Sequence, residues 1–252
     1  MWAAHEPAGF VSRCVFDCVG SRERRRSEVA VRACIFDFDG TLADSMWVWT
    51  AIGKEFIEEF NVEPFEGFSE RLAQLGLEAG AVYFVERYGL EIAPADLTAH
   101  WVAEANMKYA TEVWLKPNAE EFLENLKAAG IQVAVATAQQ RSPLEAALTN
   151  NGVLELFDAV VPCDEVTDTG KSTPEIYLAT ARMLGLDPSE CIVFEDVLGP
   201  AEQAHIGGFR VVGVYDDSPA QDHDALRAEC DAFIENYNDA MEKLAFLFGS
   251  SD

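Results

Sequence analysis

The chain has 252 residues, 49% of them hydrophobic and 25% charged, which is enough apolar material for one large core with a small accessory unit. Its 18 Lys and Arg stand against 44 Asp and Glu, a net charge of −26. A field of that sign repels nucleic acid and anionic lipid, so a polyanion-binding module is excluded as the first reading.

Residues 1–30 depart from the remainder. They hold five arginines against four acids, so the acidity belongs to the rest of the chain. No sustained helical or strand period runs through them, and a flexible extension is expected. A translation start nearer Val29 or Val31 would remove it. The weakly apolar stretch around Phe10 to Val19 precedes its basic cluster, the reverse of a secretory signal. No window reaches the roughly 18 apolar residues of a membrane span. The six cysteines lack paired metal or disulfide spacing; Cys14 and Cys18, four apart, are the nearest approach. Cys34 and Cys191 sit in apolar runs, as buried thiols in a reducing cytoplasm would.

From Val31 onward, strand and helix alternate. VRACIF (31–36) is an apolar run ending in a polar turn, as expected of a strand buried on both faces. IQVAVAT (131–137), AVV (159–161), CIVFED (191–196) and RVVGVY (210–215) are further strands, separated by helical stretches at 143–150, 174–185 and 200–207. AFLF (245–248) closes a last helix. This alternation predicts a Rossmann-like α/β core, a parallel sheet flanked by helices with ligands at the strand C-terminal ends. The interval 45–115 breaks the pattern. It contains three helix-like stretches, near 45–60, 69–88 and 95–113, and no convincing strand. The expected organisation is a core of 31–44 and 116–252 with an all-helical cap inserted between its first two strands.

Four segments at predicted strand ends carry chemistry. In DFDGT (37–41), Asp37 and Asp39 flank a turn at Gly40 that can aim both carboxylates at one centre. One can then attack phosphorus while the other moves a proton. Thr137 is a hydroxyl at a strand end, placed to bond a phosphate oxygen. Lys171, in GKSTPEIY, can neutralise a nucleophile and phosphoryl oxygens. Glu195 and Asp196 end an apolar strand, where burying adjacent carboxylates calls for a hard cation such as Mg²⁺. Any one of these has a commonplace structural explanation; the four in this order are far more specific.

In that order, DFDGTLADS, ATA (136–138), GKSTPEIYL and VFEDVLGPAEQAHIGGFRVVGV resemble the four motifs of the haloacid dehalogenase-like hydrolases. The closest look is to the phosphatase and beta-phosphoglucomutase-like branch with a helical cap, over about residues 31–248. The resemblance implies an aspartyl-phosphate on Asp37, with Asp39 as acid and then base. It implies Mg²⁺ held by Asp37, the backbone carbonyl of Asp39, Asp196 and Glu195, with Thr137 and Lys171 on the phosphoryl group. The implied substrate is a small phosphorylated metabolite, a sugar phosphate or a nucleotide, handled by a monomer or weak homodimer.

Two positions depart from the pattern. Ser172 stands where a proline usually follows the lysine, leaving the stiffness of that loop open, and Gln139 and Gln140 replace small hydroxyl residues. Asp39 argues against carbon–halogen cleavage. Trp49, where a mutase of this branch would carry a hinge histidine, argues against the mutase. Lys54 is the single lysine available for a Schiff base in the first cap helix and is more simply a solvated residue. A catalytically idle phosphate-binding relative is the alternative class. Trp47, Trp49, Trp101 and Trp114 are expected to pack in the cap core. His100 and His205 are expected to be surface or satisfied residues, and Glu120, Glu121 and Glu124 to lie on an exposed helix turn.

Overall fold

The computed structural model of the chain describes residues 29–65, 67–218, 221–238 and 240–248. The expected extension and the Cys14/Cys18 pair therefore lie almost wholly or entirely outside the described residues. The first strand, β1 (Ala33–Phe36), is followed by a two-residue strand β2 (Ala43–Asp44). Three helices come next: α1 (Trp47–Glu59), α2 (Phe68–Tyr88) and α3 (Pro94–Thr111). A second two-residue strand, β3 (Trp114–Leu115), pairs antiparallel with β2, so the outgoing and returning chain are joined at the root of the helical insertion. Those two strands are too short to carry a period, which is why the sequence does not announce them.

The core then alternates: α4 (Ala119–Ala128), β4 (Gln132–Thr137), α5 (Arg141–Asn150), β5 (Ala159–Pro162), α6 (Glu175–Leu184), β6 (Cys191–Glu195), α7 (Leu198–Ile206), β7 (Arg210–Val214), α8 (His223–Glu229), β8 (Ala232–Ile234), α9 (Ala240–Lys243) and α10 (Ala245–Phe248). All five strand expectations are met within two residues at either end. The edge strand β8 and helix α8 were not anticipated, since AFI is too brief to stand out.

The six-stranded sheet runs β5-β4-β1-β6-β7-β8, with every pair parallel. Side-chain alternation divides its core in two. Cys34, Phe36, Val133, Val135, Ile192 and Phe194 pack on one face; Ala33, Ile35, Ala134, Ala136, Cys191 and Val193 pack on the other. Phe36 stacks on Phe194 at 4.4 Å between centroids, and Phe122 of α4 meets Phe36 edge-on. Because β1 is central, with β4 on one side and β6 on the other, the connections diverge at its C-terminal end. That divergence opens the crevice where parallel sheets bind ligands.

Within the insertion, Phe56 of α1 is the hub of an aromatic cluster with Phe68 and Phe84 of α2 and Trp101 of α3. Trp101 is fully buried, as expected. Trp114 is not: it is 56% exposed on the two-residue strand β3, because consecutive residues of an edge ribbon point to opposite sides. Cys34, Cys163 and Cys191 are buried free thiols. No helix among the described residues is long and apolar enough to cross a membrane.

Candidate active site

Asp37 directly follows β1, and its amide donates to the carbonyl of Phe194 at 3.0 Å. Phe36 is paired with Phe194, so the next step along each strand brings Asp37 level with Glu195. Thr137 ends β4 on the other side of β1. The backbone then turns at Gly40, whose φ is +78°. A Cβ there would also fall 2.4 Å from Oδ2 of Asp196, so only glycine lets the turn and that carboxylate approach one another. Register and one tight turn thus bring three strand ends to one place.

The lysine joins them from a loop. Lys171 Nζ lies 2.6 Å from Oδ1 of Asp37 and 2.5 Å from Oε1 of Glu195, with its side chain only 10% exposed. Burial works against its charge, but Asp37 and Glu195 outweigh burial and raise its pKa. The loop does not rely on a proline for stiffness. Thr167, Thr169 and Thr173 form a chain of hydroxyl contacts at 2.8 and 2.7 Å, and the Ser172 hydroxyl donates to the Thr169 carbonyl at 2.7 Å. The serine that breaks the expected pattern is itself part of the bracing.

Asp37, Glu195 and Asp196 are all buried, and one oxygen of each lies within 4.8 Å of the other two. Asp196 Oδ1 accepts from the Thr41 hydroxyl at 2.9 Å. Glu195 Oε1 accepts from Lys171 and, at 2.5 Å, from the Tyr177 hydroxyl; its Oε2 is buried with no partner among the described residues. Burial pushes Asp196 well above the ordinary carboxylate range, and Asp37 and Glu195 add to the rise. Burial pushes Glu195 up as well, against the pull of Lys171. Three carboxylates facing one lysine, with an orphaned oxygen among them, fit a hard, oxygen-seeking divalent cation.

Asp39 points elsewhere. Its Oδ1 accepts from the Ser45 hydroxyl at 2.6 Å and from the Tyr109 hydroxyl at 2.5 Å, so its side chain stands outside the three-carboxylate cluster. That leaves its backbone carbonyl as its sole candidate contribution to the metal site. Burial and then Asp37 push its carboxyl up to about 6, while Ser45 and Tyr109 oppose the rise. Tyr109 comes from the end of α3, so the insertion reaches Asp39 through this hydroxyl as well as through that of Ser45 at its start. The Tyr109 pKa is raised by burial and by Asp39.

The sequence reading had no hold on Tyr109, Tyr177 or Lys116. Tyr109 and Tyr177 look like core aromatics on helices, and both are buried. Lys116, just after β3, donates to the carbonyls of Gly40 and Tyr215 and pairs with buried Asp216 at 3.0 Å. It pins the returning chain to the catalytic turn. A Lys-Pro pair opening the second half of the core is the only signal that could have pointed to it. The histidines are satisfied as expected: His100 lies 2.9 Å from Glu59, and His205 bridges Glu229 and Asp231. Lys54 is exposed, and so are Glu120, Glu121 and Glu124.

Comparison with known proteins agrees with this architecture. A probable pseudouridine-5'-phosphatase of Saccharomyces cerevisiae is 28% identical over 232 residues, covering 87% of this chain and 95% of that protein. A fructose-1-phosphate phosphatase of Escherichia coli is 26% identical over 188 residues, covering 71% and 94%. The crystal structure of CbbY from Rhodobacter sphaeroides in complex with phosphate shares the fold, with a TM-score of 0.70 at 24% identity over 86% of this chain and 99% of that one. The family model of the haloacid dehalogenase-like hydrolases matches residues 31–198, from the first core strand through the paired acids Glu195 and Asp196. The chain belongs to that family.

Proposed function

We propose that this enzyme hydrolyses a small phosphomonoester, with Mg²⁺ as cofactor, through a phosphorylated Asp37. The observation that carries the reading is the convergence of Asp37, Glu195 and Asp196 at the ends of adjacent strands with Lys171 reaching them from a loop. Asp37 attacks phosphorus and the alcohol departs. Asp39 gives that oxygen its proton and then takes one from the water that cleaves the aspartyl-phosphate. Its raised pKa suits both directions of transfer near neutral pH. Lys171 and Thr137 hold the phosphoryl oxygens, and Tyr177 and Lys171 orient Glu195. Asp37, Asp196, Glu195 and the Asp39 carbonyl would hold Mg²⁺, which when bound would supply neutralising charge for the phosphoryl group. Catalysis of this kind rests on positioning and charge more than on covalent complexity.

The helical insertion acts as a cap over this edge. The two phosphatase relatives act, by their names, on a nucleoside phosphate and a sugar phosphate, which supports a substrate drawn from those classes. Trp49 at the position of the mutase histidine disfavours phosphoryl shuttling, and the intact set of acids disfavours a non-catalytic relative. The net charge of −26 cannot recruit an anion, so capture is local, at Lys171, the cation and the loop amides.

The test is phosphate release from an aryl phosphate with and without Mg²⁺. Release should require the metal and fall by about 10⁴-fold or more in Asp37→Asn, roughly 5 kcal/mol of transition-state stabilisation. Undiminished turnover in that variant would overturn the assignment of the nucleophile.

A further inference from the structure

Beside Asp39 lies a cavity of about 320 Å³ between the sheet edge and the insertion, and Lys171 does not line it. That volume lies at the small end of the range for small-molecule sites. Its walls combine Trp49 of α1, Leu77 of α2 and Val102 of α3 with three amides, Asn106, Gln139 and Gln140. Among the described residues, Asp39 is its one ionisable lining residue and none is basic. The bases next in sequence to the lining are already engaged. Lys108 is held by Glu55 at 2.6 Å, and Arg141 is held by Glu165 at 2.6 Å and Glu145 at 2.7 Å. Among the described residues, the side chains of Asn106 and Gln140 have no hydrogen-bond partner, and the Trp49 ring makes no ring–ring contact.

We propose that this cavity takes the alcohol portion of the substrate and selects an uncharged, hydroxyl- or amide-bearing ring over an alcohol carrying a second phosphate or a carboxylate. The inference rests on the phosphatase reading, since it places the departing oxygen at Asp39. The physical argument is charge. A second anion here would leave water for a space that no described residue lines with a counter-ion, beside a carboxylate and inside a strongly acidic protein. Amides, by contrast, both donate and accept, so they match hydroxyl and amide edges. Trp49 and the aliphatic wall cover an apolar ring face. Trp49, Asn106 and Gln140 are therefore specificity-determining residues.

The experiment is steady-state kcat/KM for two matched pairs, with an aryl phosphate run alongside. The pairs are glucose 6-phosphate against glucose 1,6-bisphosphate, and uridine 5'-monophosphate against uridine 3',5'-bisphosphate; they separate a sugar from a nucleoside as the preferred ring. At least one monophosphate should exceed its bisphosphate by about tenfold or more, a difference of ~1.4 kcal/mol. Asn106→Lys, which adds a cation to the wall, should shrink that ratio by about tenfold. Gln140→Arg serves the same purpose if Asn106→Lys does not fold, as judged by circular dichroism. Bisphosphates turned over as well as monophosphates, or a ratio unmoved in a folded variant, would overturn the proposed selectivity alone. Failure to turn over any ester, the aryl phosphate included, would overturn the phosphatase reading and this inference with it.

Discussion

At the sheet edge, Asp37, Glu195 and Asp196 cluster beside Lys171 with Asp39 next to them, and burial raises three of those four carboxyls. The insertion facing them is assembled from Phe56, Phe68, Phe84 and Trp101, whose rings lie 4.7–6.3 Å apart. One region concentrates buried polar groups at an energetic cost; the other concentrates apolar area. The two meet through the Tyr109 hydroxyl on Asp39 and the amide-lined cavity beside it. Apolar packing and candidate chemistry are thus kept on different elements, and the proposed specificity residues lie where they touch.

The sharpest break of that division is at Asp39. Asp39→Asn should lower multiple-turnover kcat by about 10²–10⁴-fold, since it removes the acid and base. It should leave the rise in melting temperature on adding Mg²⁺ nearly intact, because the Asp39 side chain stands outside the three-carboxylate cluster. Loss of the Mg²⁺ response would make Asp39 part of the metal site's structure instead.

A smaller effect is expected across the boundary. Tyr109→Phe removes one of two donors to Asp39 while keeping the ring in its buried place. A hydrogen bond to a charged group contributes about 1.5–3 kcal/mol, so kcat should fall roughly 10–150-fold if that interaction is retained in the transition state. KM and melting temperature should move little. An unchanged kcat with a lowered melting temperature would make Tyr109 a packing residue of the insertion.

The smallest effect concerns a charge network outside both regions. His205 on α7 bridges Glu229 and Asp231 near α8 and β8. The hydrogen bond to Asp231 raises its pKa, burial opposes, and Glu229 adds to the rise. A raised folded-state value means the stabilisation is complete below the unfolded pKa near 6.5 and is lost as pH climbs through the folded value. His205→Gln should therefore cost stability at pH 6, by about 1 kcal/mol or less, and less still at pH 9. Urea melts at both values test this; an equal cost at each would show that the network acts by packing alone.

How far the sequence could be read follows from the range of the interactions involved. The parallel core was legible because strands buried on both faces form apolar runs, and VRACIF, IQVAVAT and CIVFED show them plainly. The candidate acids were legible because each follows such a run, so finding the strand locates the carboxylate. Trp114 was misread because a two-residue ribbon has no period from which to tell its buried side. Lys116 was invisible because its partners, Gly40, Tyr215 and Asp216, are far away in the chain.

The sequence by itself determined the family, the parallel α/β core and the four segments bearing Asp37, Asp39, Thr137, Lys171, Glu195 and Asp196. Strand periodicity and tight turns are local, and they set where a side chain emerges within a few residues. Only the tertiary structure decided that Tyr109 reaches Asp39, that Tyr177 braces Glu195, and that Trp49, Asn106 and Gln140 wall one cavity that no described basic residue lines. Those facts depend on how each helix is rotated against its neighbours, and that rotation is set by packing of the whole insertion rather than by any segment's own pattern.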